Sequence, residues 1–298
     1  MRILISGGSG FLGTRLTEAL RSSGHTVAHL VRPGAQTQPG DVRWYPSAAT
    51  VDMAAMEGTE AVVHLSGANV AAGRWTHARK DLFRSSRVDT TRVLVDAIAH
   101  LRQKPRVLVC ASAVGYYGDR QDEILTESSA NGTNFLALLT RDWEAEATRA
   151  AHQGIRTVML RFGVILAANG GALRKMLAPF RWCLGGRLGD GRQWIPWVAL
   201  DDAIDIASSA ISDERYSGPI NVVAPNPVRN ADFTRIVADV LHRPAIFPAP
   251  AFALRFVLGE MAEEMLLASL RVRPNRLLGL KYSFHDDDLE PTLRKMLT

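Results

Sequence analysis

Lysine is scarce in this 298-residue chain: Lys80, Lys104, Lys175, Lys281 and Lys295 are the whole set, so its positive charge is nearly all arginine. The basic residues are interleaved with acids, and no basic tract carries interleaved aromatics. The formal charge of +5 therefore does not point to nucleic acid. Cysteine is rarer still. Cys110 and Cys183 fall in neither a zinc nor a redox spacing, which argues against a disulfide framework and a thiolate-bound metal. No uninterrupted apolar run reaches the ~20 residues of a membrane-spanning helix. The first strand begins at once and leaves no room for a secretory signal, so a cytoplasmic protein with reduced, buried thiols is expected. No Gly-x-Ser-x-Gly nucleophile turn occurs, against a hydrolase. No lysine follows the N-terminal glycines, against a phosphate-loop NTPase.

What the chain does have is Gly7-Gly8-Ser9-Gly10-Phe11-Leu12-Gly13 in a telling place. Before it, Arg2 to Ser6 reads as a buried strand. After it, Thr14 to Ser23 reads as a helix, with Leu12, Leu16 and Leu20 at helical spacing. A glycine turn between a first strand and a first helix is the dinucleotide-binding fingerprint in its required context. The glycines let the backbone turn tightly and approach a pyrophosphate, whose charge sits at the helix N-terminus. Gly7, Gly10, Phe11, Leu12 and Gly13 are the candidate cradle. An NAD site usually carries an acid some 20 residues further on, bound to the ribose hydroxyls. Here the second strand, Thr26 to Val31, ends at Arg32, and no Asp lies between Gly13 and Asp41. A cation in that place suits a 2′-phosphate, so NADP(H) is expected rather than NAD(H).

An apolar content of 47% supports a sizeable core, in one large domain or two unequal ones. Further strands are read at Val42 to Tyr45, Ala61 to Leu65, Arg106 to Cys110 and Arg156 to Phe162. Helices are read from about Asp81 to Arg102, with Val88, Leu94, Val95 and Ile98 inward, and from Asn134 to Gln153. Strand–helix alternation predicts an α/β fold: a doubly wound parallel sheet. After about Gly170 the texture changes; proline and tryptophan become frequent and short helices are expected. The division is therefore a dinucleotide-binding domain at 1–170 and a smaller, mostly helical substrate region at 171–298. Segments near 200–223 are expected to return to the main sheet.

Motifs spread over nearly the whole chain carry a family resemblance. They include the glycine turn, His64 to Asn69, Gly73-Arg74-Trp75-Thr76, Ser86 to Thr91, Ser112 to Asp119 and Asp142-Trp143-Glu144. Leu160 to Val164, Trp194 to Trp197 with Asp201-Asp202, and the tail from Arg271 to Thr298 complete the set. Together they resemble the extended short-chain dehydrogenase/reductases, in an atypical epimerase-family, NAD(P)-binding branch. The resemblance implies that Leu65, Ser66 and Gly67 line the cofactor's ribose and phosphates. It places Ala111 and Ser112 beside the nicotinamide, and the backbone of Arg161, Phe162, Gly163 and Val164 facing the carboxamide. All lie at carboxyl ends of strands, where open α/β sheets bind ligands.

One part of the family pattern is missing. Its hydride chemistry uses Ser or Thr with a Tyr and a Lys four apart on a helix, where the Lys charge eases proton exchange by the phenol. Ser112 fits the first role. The helix that should carry the pair has neither residue; the positions fall at Leu136 and Thr140, or at Leu138 and Asp142. Tyr116 and Tyr117 are the candidate substitutes, or else they pack the loop. Arg74, Trp75 and Trp194 are candidate substrate contacts, suited to an anionic or planar ligand, or else packing residues. His25 and His29 straddle a turn and make no metal pair. His285-Asp286-Asp287-Asp288 precedes an amphipathic helix whose N-terminus favours acids, so no metal site is assigned.

The expectation is an NADP(H)-binding oxidoreductase-like protein acting on a small molecule, with no nucleic-acid or membrane partner and with homodimers common among relatives. Two alternatives stand beside it: a non-catalytic NADPH-binding sensor or scaffold, and a nucleotide-sugar epimerase or dehydratase. The missing Tyr–Lys pair favours the first alternative and weighs against the second.

Overall fold

The computed structural model describes residues 1–168 and 170–297, so the closing Thr298 of the tail motif lies outside the described residues. Eight strands form the main sheet: β1 Arg2–Ser6, β2 Thr26–Val31, β3 Val42–Tyr45, β4 Thr50–Val51, β5 Ala61–His64, β6 Val107–Ala113, β7 Arg156–Phe162 and β8 Gly218–Val222. Their order is β8-β7-β6-β5-β1-β2-β3-β4. All neighbours run parallel except the β3–β4 edge pair. The order reverses between β1 and β5, so the crevice at that switch point opens at the carboxyl ends of both strands.

The central strands are short runs of Val, Ile, Leu and Ala because helices cover both faces. On one face Ile3, Ile5, Val63, Val109 and Leu160 pack with Leu16 and Leu20 of the Phe11–Ser22 helix and Ile204, Ile206 and Ala207 of the Leu200–Ser212 helix. On the other, Leu4, Val62 and Leu108 pack with Leu94, Val95 and Ile98 of the Thr90–Ala99 helix. Each fully buried Leu or Ile contributes about 1.5–3 kcal/mol of transfer free energy.

Several boundaries differ from the sequence reading. The first helix begins at Phe11, inside the glycine motif, so Gly10 is its N-cap. The helix expected from Asp81 starts at His77, because the Thr76 hydroxyl caps it by accepting from the Arg79 N–H. It passes through a π-turn at Ser85–Asp89 before Thr90–Ala99. Beyond Gly170 the helices are not uniformly short: Gly171–Arg181, Leu200–Ser212 and Asn230–Leu241 are full-length. Gly218–Val222 joins the main sheet beside β7, with Asn221 in register with Arg161.

Candidate active site

The glycine turn is closed by backbone-to-backbone contacts. Gly7 adopts φ +73°, and a β-carbon there would stand 2.8 Å from the Leu65 carbonyl carbon. A β-carbon on Gly13 would stand 2.2 Å from the Gly7 oxygen and 2.8 Å from the Gly8 α-carbon. Any larger residue at either position pushes main chain apart. Gly10 caps the Phe11–Ser22 helix without a side chain, and its first turn holds no acid. Among the described residues, the first-turn N–H groups, those of Phe11, Leu12 and Gly13 among them, therefore have no side-chain acceptor, as an anion site requires. The ring of Phe11 lies against Gly170 and Gly171, where β-carbons would fall 2.4 and 3.2 Å from it. That contact ties the turn to the Gly171–Arg181 helix. Gly8, not singled out by sequence, is kept small by the His29 ring of β2.

Arg32 follows β2, exposed and without an ion-pair partner among the described residues. The first Asp after the turn is engaged elsewhere: Asp41 accepts from the His29 N–H at 2.8 Å and the Gln38 N–H at 2.7 Å. Leu65, Ser66 and Gly67 leave β5 alongside Gly7. Gly67 covers the Arg87 guanidinium, which donates to the Ala68 carbonyl at 3.0 Å and lies over the Trp143 ring. Arg87 has no carboxylate partner among the described residues, and burial pulls its pKa down to about 10. Gly163 packs against the Pro196 backbone, which lets Val164–Leu166 pair with Trp197–Ala199.

Register builds the second half of the site. Ser112 of β6 pairs with Arg161 of β7, and Arg161 pairs with Asn221 of β8, so three polar side chains share one row of the sheet. Over that row lies the Phe135–Thr148 helix. Glu144 points into it from that helix and is buried. The Ser112 hydroxyl donates to Glu144 Oε1 at 2.5 Å. Arg161 grips the same carboxylate through Nε (2.8 Å) and Nη2 (2.7 Å) and donates from Nη1 to the Tyr117 oxygen at 2.9 Å. The Tyr117 hydroxyl donates to Asn221 Oδ1 at 2.6 Å. Burial opposes charge on Arg161, yet the hydrogen-bonded Glu144 carboxylate more than offsets it and holds the guanidinium protonated.

The two candidate tyrosines have different surroundings. Tyr117 is fully buried, its hydroxyl taken by Arg161 and Asn221, and burial pushes its pKa up to about 12. Tyr116 is half-buried, with the Arg161 guanidinium 3.5 Å from its ring centroid; its hydroxyl makes no hydrogen bond among the described residues. Leu136, Thr140 and Glu144 form the inward row of the helix, with Leu136 3.4 Å from the β-carbon position of Gly115. The inward register is therefore Leu136/Thr140. Leu138 is exposed, and Asp142 pairs with Arg84 and Arg141 on the surface.

The three candidate substrate residues are scattered. Trp75 is buried between Phe83 and Phe135, and its indole N–H donates to the Val70 carbonyl. Arg74 is exposed and donates to the Phe256 carbonyl. Trp194 lies between the guanidinium groups of Arg229 and Arg271, each 4.7 Å from its ring, and donates to Asp122. His285 pairs with Asp205, and Asp286 with Lys295. Sequence reasoning missed Glu144 and Asn221 as site residues. The available signal was a glutamate two turns beyond Leu136 on an otherwise apolar helix face, matched by an arginine inside a buried strand.

Residues 3–223 match the NAD dependent epimerase/dehydratase family, and residues 249–296 match a domain of unknown function, DUF1731. The chain is 39% identical over 291 residues to an epimerase family protein of Mycobacterium bovis, covering 98% of this chain and 96% of that one. It is 36% identical to the epimerase family protein YfhF of Bacillus subtilis, covering 100% and 98%. Its structure resembles the crystal structure of human epimerase family protein SDR39U1 with NADPH, at TM-score 0.88 and 32% identity, covering 99% of each chain. The glycine cradle, the sheet order and these matches agree, and the chain belongs to the NAD dependent epimerase/dehydratase family.

Proposed function

We propose that this protein binds NADP(H) and transfers hydride to or from a small carbonyl or hydroxyl compound. Three features support the cofactor: the glycine cradle, whose turn a β-carbon would fill, Arg32, unpaired among the described residues, where an NAD site carries an acid, and the NADPH bound by the human relative. When bound, the nicotinamide supplies or accepts the hydride. The protein's part is to hold the reacting oxygen and move one proton.

The observation that carries the reading is the different commitment of Ser112, Tyr117 and Tyr116. Ser112 has its proton fixed toward Glu144, so toward the cleft it acts as an acceptor. It suits a substrate hydroxyl, which donates to it. Tyr117 is locked in the buried network and positions Arg161. Tyr116 keeps a hydroxyl free of hydrogen bonds among the described residues, on a ring stacked over a permanent cation. In the reducing direction Tyr116 gives its proton to the carbonyl oxygen as the carbon gains the hydride, and Ser112 accepts from the new hydroxyl. In the oxidising direction both transfers reverse. Arg161 thereby supplies, from a strand, the positive charge that a helix lysine supplies in relatives with the Tyr–Lys pair.

The test is a fluorescence titration with NADPH and NADH, followed by a carbonyl screen read by loss of NADPH absorbance. NADPH preference with turnover that falls at least about tenfold in Tyr116→Phe, at unchanged NADPH affinity, supports the reading. Turnover unaffected by Tyr116→Phe removes Tyr116 from the chemistry. Tight NADPH binding with no turnover across the screen favours a sensor, the reading suggested by Leu136 and Thr140 in place of the pair.

A further inference from the structure

The Ala251–Leu258 helix is turned inside out. None of its residues is buried, and Phe252 and Phe256, one turn apart on a single face, are 73% and 82% exposed. Apart from Leu258, which packs against the Trp75 and Met261 cluster, polar pairs hold the helix in place: Arg74 donates to the Phe256 carbonyl, Arg255 pairs with Glu263, and Lys80 pairs with Glu260 just beyond it. The chain entering the helix continues the pattern. Phe247 and Ala249 bond to Gly185 and Arg187, which joins this segment to the one after the Gly171–Arg181 helix. Trp182 (79% exposed), Leu184, Ile246 and Phe247 project from those two segments. A monomer rarely leaves so many large apolar groups together in water without a use for them.

Charge identifies the use. Residues 170–189 and 242–259 contain Arg174, Lys175, Arg181, Arg187, Arg243 and Arg255 and no Asp or Glu; of the acids that flank them, Asp239 pairs with Arg235 and Glu260 with Lys80, and Asp190 lies next to the first segment. Only Arg255 forms an ion pair among the described residues. A second copy is a poor occupant, because an isologous contact sets the same cationic rim against itself. We propose that this face docks on an anionic lipid surface. The aromatic and aliphatic groups enter the headgroup layer, and the arginines meet lipid phosphates around them. Trp and Phe beside Arg are the groups that prefer such an interface. No helix among the described residues is long and apolar enough to cross a membrane, so the attachment is peripheral.

The experiment is co-sedimentation of the full chain with phosphatidylglycerol/phosphatidylcholine vesicles and with pure phosphatidylcholine vesicles, at low and high salt. Binding to the anionic vesicles, weakened by salt and on the order of 25-fold weaker in Arg181→Gln/Arg187→Gln, is expected. Phe252→Ser/Phe256→Ser should abolish it while leaving NADPH binding intact, which separates loss of docking from misfolding. Brominated lipid should quench wild-type emission more than that of Trp182→Phe. Failure of the wild type to bind anionic vesicles at low salt overturns the proposal. So does a wild-type dimer in solution that Phe252→Ser/Phe256→Ser converts to monomer, since a second copy then covers the face.

Discussion

The glycine turn and the Ser112–Glu144–Arg161 network sit at the same edge of one sheet but are built by opposite means. The turn is seven consecutive residues, and its function lies in main-chain N–H groups and in the absence of β-carbons. The network gathers side chains from residues 112, 117, 144, 161 and 221, and its function lies in satisfied polar atoms. Each therefore fails in its own way: the turn by gaining atoms, the network by losing one.

The largest effect expected is therefore in the network. Glu144→Ala leaves Arg161 buried and uncompensated, at a cost of about 3–5 kcal/mol. Denaturant unfolding of the variant and wild type checks this. Glu144→Gln, which keeps a hydrogen-bond acceptor for Ser112 and Arg161, should cost less. A loss under about 1 kcal/mol for Glu144→Ala would mean the carboxylate is not the keystone its geometry suggests. NADPH affinity of the folded variant should stay near wild type, because the turn does not depend on Glu144.

The turn side is sharpened by Arg32→Asp. If Arg32 meets the 2′-phosphate, removing its charge-assisted hydrogen bonds and adding a repulsive carboxylate costs at least about 1.5–3 kcal/mol, or roughly 10- to 150-fold in NADPH affinity. NADH affinity should be unchanged, and side-by-side fluorescence titrations read both. Equal NADPH affinity in variant and wild type would remove Arg32 from the cofactor site.

The same contrast explains what the sequence could say. The turn was legible because contiguous glycines between a strand and a helix carry their own geometry. The strands were legible because both-face burial makes them continuous apolar runs, as in Ala61–His64 and Val107–Ala113. Two helix starts were read late, those capped by Gly10 and Thr76, while the start capped by Asn134 was read in place. The network was not legible, since its members meet only after the β6–β7–β8 register and the Phe135–Thr148 helix are in place. Sequence placed Tyr116 and Tyr117 together as equals. What separates them is the register that brings Asn221 and the Arg161 Nη1 to the Tyr117 hydroxyl, while Tyr116 meets Arg161 through its ring face.

A smaller effect distinguishes the two regions by pH. The crevice side of the sheet, between β1 and β5, is held by a neutral pair, the Ser6 hydroxyl and His64 Nδ1 at 2.5 Å. His64 is fully buried, and burial lowers its pKa from 6.5 to about 3. The folded state thus leaves His64 uncharged where the unfolded chain binds a proton. Its contribution to stability is complete above pH 6.5 and is lost progressively as the pH falls toward 3. The slope approaches about 1.4 kcal/mol per pH unit below the unfolded pKa. The informative window runs from about pH 7.5 to 5.5, astride the unfolded value of 6.5. Unfolding free energies measured across that window should fall for wild type and stay flatter for His64→Gln, even though the variant starts from lower stability. Parallel curves would show that His64 protonates in the folded state despite its full burial.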